Sequence, residues 1–181
     1  MKLDIKVDTE IAADWERIQP VRLGSDFSPA EPPDAYVMVS KAGIPSQRFD
    51  VFYSDTAANF CIKAVHWKQW IAIGCCNLVY LVSLSSDKII PTPISDDCDF
   101  GDYFSDFWSG PDFMLIVGGC GLVRIEPDGH VLWRNNDLGL DGVVLDTVSE
   151  ASITGSGEWD PPDGWRPFQV STTTGARIAA L

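Results

Sequence analysis

The sequence predicts an all-β, antiparallel fold built from repeated meanders and propeller-like in arrangement, with a β-sandwich or barrel as the alternative. Three observations predict it. Aromatic and β-branched residues are plentiful, and 15 Gly and 12 Pro punctuate the chain at turn spacing. The apolar run Trp70–Leu81 recurs at Met114–Ile125. Setting Gly74 on Gly118 aligns them at an offset of 44 residues, with Cys76 on Cys120 and Leu78-Val79 on Leu122-Val123. Each run is followed by turn chemistry, Ser85-Ser86-Asp87 in one and Pro127-Asp128-Gly129 in the other. Pro presets φ and Gly accepts a left-handed turn, so a third strand closes each unit, at Ile89–Ile94 and His130–Arg134.

The elements follow in order. Residues 1–34 read as a cap over an edge: Lys2–Val7 alternates like an edge strand, Thr9–Ile18 suits a short helix with Thr9 as N-cap, and Ser28–Asp34 is a Pro-rich connector. Ala35–Ser40 and Phe49–Tyr53 are strands around a turn at Gly43–Ser46, a degenerate first unit. The stretch from Ala58 to Ile73 suggests one long strand broken near His66–Gln69. Three clearer units follow at about 64–94, 112–134 and 151–181, all in one domain. Val143–Val148 reads as a strand-like blade linker. In the third unit, Trp165–Thr172 and Ala176–Leu181 are its last strands.

Gly121–Arg134, Gly-Leu-Val-Arg-Ile-Glu-Pro-Asp-Gly-His-Val-Leu-Trp-Arg, resembles a quinoprotein-type (PQQ-like) propeller repeat. The resemblance covers one blade and carries no cofactor residues, so it implies shape only. The insertion Gly157–Phe168 resembles a segment of uncharacterised bacterial proteins. That resemblance covers roughly the last third of the chain and implies no activity.

Composition narrows the function classes. The formal net charge is −13, with 26 acidic and 13 basic residues. Nucleic acid and anionic membrane surfaces are therefore poor partners, and a basic protein is a good one. No apolar window of membrane-spanning length is present, and the alternating N-terminus lacks a signal-like run, so a cytoplasmic location is expected. The five cysteines lack CxxC spacing, so buried free thiols are expected and no metal site is. His66, read as packed, and His130, read as exposed, lie at no hydrolase motif, and no catalytic residue or cofactor is expected.

Ser95–Asp112 is the most unusual stretch. It holds six Asp and five aromatics and no Lys or Arg. An EF-hand is excluded because Asp102 stands where Gly is required and Trp108 where Glu would bind. A connecting loop with aromatics tucked onto the core is one reading. A recognition surface for a basic partner is the other, carried by Asp96, Asp97, Asp99, Asp102, Asp106, Phe107 and Trp108. The expectation is a protein-binding module, of the kind an immunity protein uses against a basic toxin. The alternatives are a scaffold subunit, or a carbohydrate-binding or glycoside-active protein using a lip of Glu158, Trp159, Asp160, Trp165 and Arg166.

Overall fold

A computed structural model of the chain describes residues 3–24, 31–53, 61–95, 102–159 and 164–178. Among the described residues strands dominate and the one helix is a single turn. The order is β1 (Leu3–Asp8), α1 (Ala13–Glu16), β2 (Pro20–Leu23), β3 (Ala35–Lys41), β4 (Ile44–Val51), β5 (Lys63–Trp67), β6 (Trp70–Cys75), β7 (Leu78–Ser83), β8 (Ile89–Pro93), β9 (Phe104–Ser109), β10 (Met114–Gly118), β11 (Leu122–Ile125), β12 (Val131–Asn135), β13 (Val143–Val148), β14 (Ser152–Glu158) and β15 (Trp165–Ser171). They form four sheets, ordered β1-β3-β4-β2, β5-β6-β7-β8, β9-β10-β11-β12 and β13-β14-β15. All pairings are antiparallel except β2 with β4.

The sheets are joined by three apolar clusters, each between neighbours in chain order. On β6 alternate side chains part company, because successive residues of a strand point to opposite faces. Ile71, Ile73 and Cys75 meet Val37, Val39, Phe49 and Val51 of the first sheet. Trp70 and Ala72 meet Met114, Ile116, Val123 and Ile125 of the third. From the third sheet, Leu115, Val117 and Leu122 turn to Val143, Ile153, Phe168 and Val170 of the fourth. β6 and β10 are therefore buried along their whole length.

The registers of the second and third sheets coincide at an offset of 43. Adding 43 to each residue of Lys63↔Gly74, Ile71↔Val82 and Val79↔Thr92 gives Asp106↔Val117, Met114↔Ile125 and Leu122↔Asn135, all three of which are observed pairs. The 44-residue alignment is thus one residue out of phase. It would set Ile71, which faces the first sheet, on Leu115, which faces the fourth. Gly74 also lies inside β6, whereas Gly118 closes β10 at a register shift. A one-residue slip exchanges the two faces of a strand, so the ladders overrule the matching letters.

Other expectations are corrected in the same way. In place of the expected cap over an edge, β1 and β2 are the two edge strands of the first sheet; residues 1–2 and 25–30 lie outside the described residues. The helix is one turn with Ala12, not Thr9, at its N-cap. From Lys63 the expected long strand is a tight hairpin, with Trp67 opposite Trp70 and Lys68 at φ 55°, while residues 58–60 lie outside the described residues. The fourth sheet starts at β13, so Val143–Val148 is a sheet strand and not a linker. Among the described residues after β15 the chain returns as an isolated bridge, Val170 to Arg177, while residues 179–181 of the expected last strand lie outside them. Part of Ser95–Asp112 is β9 itself, and not a loop. No helix among the described residues is long and apolar enough to cross a membrane.

Candidate functional site

Each of the last three sheets begins with an edge strand. β9 opens the third sheet and β13 the fourth, and between them runs a groove of about 310 Å³ lined by Ser105, Asp106, Phe107, Trp108, Val117, Val143, Val144 and Leu145. Strand parity explains the lining. Asp106 and Trp108 pair with Val117 and Leu115, whose side chains face the fourth sheet, so they project toward β13. Phe107 pairs with Ile116 and packs toward the second sheet, its ring 4.6 Å from that of Phe104. Trp108 stacks on Phe113 at 5.1 Å and is half-buried. Asp106 is exposed. It accepts the Phe107 N–H at 2.7 Å and pairs with Lys63 at 2.9 Å, where the two side chains retain 55% and 44% exposure. An aspartate that occupies its own strand's free N–H also blunts an edge that another sheet would pair with.

Of the acidic residues expected to form a recognition surface, Asp106 reaches solvent beside Phe107 and Trp108. Asp102 does not. It is 6% exposed, and its Oδ1 accepts the Cys120 N–H at 3.1 Å. Its Oδ2 has no hydrogen-bond partner among the described residues. Burial pushes its carboxyl upward, against the pull of the backbone N–H groups of Cys120, Tyr103 and Gly119. Asp102 therefore holds the β10–β11 turn and is not a contact residue. Asp96, Asp97 and Asp99 lie outside the described residues.

The end of the groove is tied by Tyr103, whose hydroxyl donates to the Asp141 carbonyl at 2.7 Å. Cys120, nearby, is pushed up to about 11, first by burial and then by the charges of Asp102 and Asp141. Both effects disfavour the thiolate near neutral pH. His66 is exposed, contrary to the packed reading, with Nε2 2.9 Å from the Lys68 carbonyl. His130 is exposed and hydrogen-bonded to Asp128 at 2.6 Å. Among the described residues no three His, Cys, Asp or Glu side chains converge as metal ligands would.

The proposed sugar lip is divided. Trp165 lies against Gly142 and Glu158, while Trp159 has the guanidinium groups of Arg166 and Arg177 over its ring at 5.8 and 5.9 Å. The two tryptophans thus have different neighbours, and Asp160 lies outside the described residues.

Comparison with known proteins identifies no family. No protein-family model and no curated protein matches the chain. The groove was legible in part, because its acid-and-aromatic strand stood out in the sequence. The opposing wall, Val143–Leu145, gave no signal beyond an apolar run, since nothing local states which edge strand it will lie beside.

Proposed function

We propose that this chain is a non-enzymatic protein-binding module of propeller-like build that receives a basic polypeptide segment in the groove between β9 and β13. The observation that carries the reading is the pairing of exposed Asp106 with the half-buried Trp108 across from an apolar wall of Val143, Val144 and Leu145. Aromatic anchors beside a charge are the usual energetic centre of protein interfaces. A net charge of −13 adds long-range attraction for a basic partner. An immunity-type role against a basic toxin fits these features. The propeller-like part of the reading is supported by the chain-order packing of the sheets and the shared registers of the second and third.

An array of extended peptides tests it, with lysine- and arginine-bearing members set against acidic counterparts. Binding of basic, apolar-alternating peptides that is lost in both Asp106→Lys and Trp108→Ala supports the assignment. Equal binding by those variants rejects it. A second reading, a scaffold subunit, is favoured by Leu140, Val144 and Trp165, which remain 60%, 51% and 44% exposed around the fourth sheet. Light scattering that finds only monomer over a wide concentration range counts against self-assembly.

A further inference from the structure

The turn between β6 and β7 joins two cysteines that an ordinary strand would hold apart. Adjacent residues of an extended chain point to opposite faces, so Cys75 and Cys76 should not meet. Cys75 ends β6 on the face toward the first sheet. Cys76, however, adopts φ 49°, a left-handed conformation that non-glycine residues rarely take. The left-handed step turns Cys76 back, and both cysteines line one cavity of about 40 Å³ with Gly24, Phe52, Asn77, Leu78 and Tyr80. They are 3% and 5% exposed. Ala42 and Lys68 adopt the same conformation at their own hairpin turns, so what sets this turn apart is the pair of thiols it brings together.

We infer that the Cys75–Cys76 turn is a two-thiol binding site for a small trivalent metalloid hydroxide, of which arsenous acid is the type. Size decides the first part of the argument. The recess is small and suits a compact inorganic species better than a bulky organic ligand. Charge decides the second. The Cys75 thiol is held far above the usual range, first by its hydrogen bond with Cys76 and then by burial, so an ionic complex of thiolates is disfavoured. Arsenous acid avoids that cost. Each thiol displaces one hydroxyl, two As–O bonds and two S–H bonds break, two As–S bonds form, and two waters leave. Arsenic stays trivalent, and the product, with two sulfurs and one hydroxyl on arsenic, is neutral. A divalent cation that needs three or four ligands finds no such set among the described residues.

The test is arsenite binding to the full reduced chain, followed by native mass spectrometry and arsenic X-ray absorption. One arsenic per chain with two As–S bonds and one As–O bond is the expected result. Removing one thiol of a chelating pair should weaken binding on the order of 10²-fold, so Cys75→Ser and Cys76→Gly should both lose it. Cys76→Gly also relieves the left-handed strain and should fold at least as well as the parent, which separates loss of the site from loss of the fold. Cys61→Ser, Cys98→Ser and Cys120→Ser should retain binding. No arsenic on the parent chain, undiminished binding in Cys76→Gly, or a three-sulfur spectrum would each overturn the inference.

Discussion

At the junction of the second and third sheets, the edge of β9 is covered. Lys63 reaches over it to Asp106, and the Cys61 thiol donates to the Ser105 carbonyl at 3.2 Å. Deeper in, Trp67 Nε1 donates to the Gly110 carbonyl at 2.8 Å and Trp70 Nε1 to Pro127 at 3.0 Å. The junction of the third and fourth sheets is fastened mainly away from that edge, with the Tyr103 hydroxyl bond to the Asp141 carbonyl at one end of the groove. Arg124 donates to the Thr172 carbonyl at 2.6 Å, as does Trp133 Nε1 at 2.9 Å, and Asn135 donates to Gly175 at 2.6 Å. Toward β9 and β13 it gapes into the groove. Two junctions with similar apolar cores thus differ in where polar side chains close them. The opening accompanies a different placement of polar staples, beside apolar clusters of similar make-up.

The largest effect that probes this contrast is Trp70→Ala. Its ring is 2% exposed and spans the closed junction, so its loss should cost about 3–5 kcal/mol by urea unfolding. Next is Arg124→Ala at the open junction. Arg124 is paired with Glu126 at 2.8 Å and lies 4.4 Å over the Phe113 ring, besides its bond to Thr172. Its removal should cost about 1.5–3 kcal/mol and, unlike Trp70→Ala, should loosen the fourth sheet first, read as faster amide exchange in β14 than in β6.

Asp102 gives the pH dependence. Burial raises its carboxyl above the ordinary 3.8, so the folded chain holds that proton more tightly than the unfolded one. The contribution of this group to stability is greatest at low pH and declines as pH rises from about 3.8 through the raised value. Asp102→Asn should remove that decline, so the variant's stability relative to the parent rises with pH across the window and then levels. A relative stability that falls with pH would contradict the assignment. The smallest effect belongs to Lys63→Ala. Its pair with Asp106 is largely exposed, so stability should change by about 0.5 kcal/mol or less, while Asp106 becomes freer for a basic peptide and binding tightens.

The sequence made the strand content plain because Trp70–Cys75 and Met114–Gly118 are continuous apolar runs bounded by turn residues. Pro127-Asp128-Gly129 behaves as its chemistry requires, with Gly129 at φ 90° and Asp128 accepting the His130 N–H. The phase of the two units was illegible for the same reason that their strands were obvious. A strand buried on both faces has no polar alternation to fix which residue faces where, so matching glycines and cysteines suggested 44 when the ladders require 43. The parallel partnership of β2 with β4 joins residues far apart in the chain, and no local pattern encodes it. In the candidate site, one acidic residue looks like another in sequence. Only the packing of Asp102 against Gly118 and the β10–β11 turn separates a buried structural carboxylate from the solvent-facing Asp106.

Amide chemical-shift mapping with the tightest basic peptide from the array tests the central claim most directly. A peptide seated in the groove should shift the amides of Ser105–Trp108 and Val143–Leu145 together, with smaller changes at Lys63 as its pair with Asp106 opens. Shifts confined to the outer face of the fourth sheet around Trp165, with β9 unmoved, would contradict it.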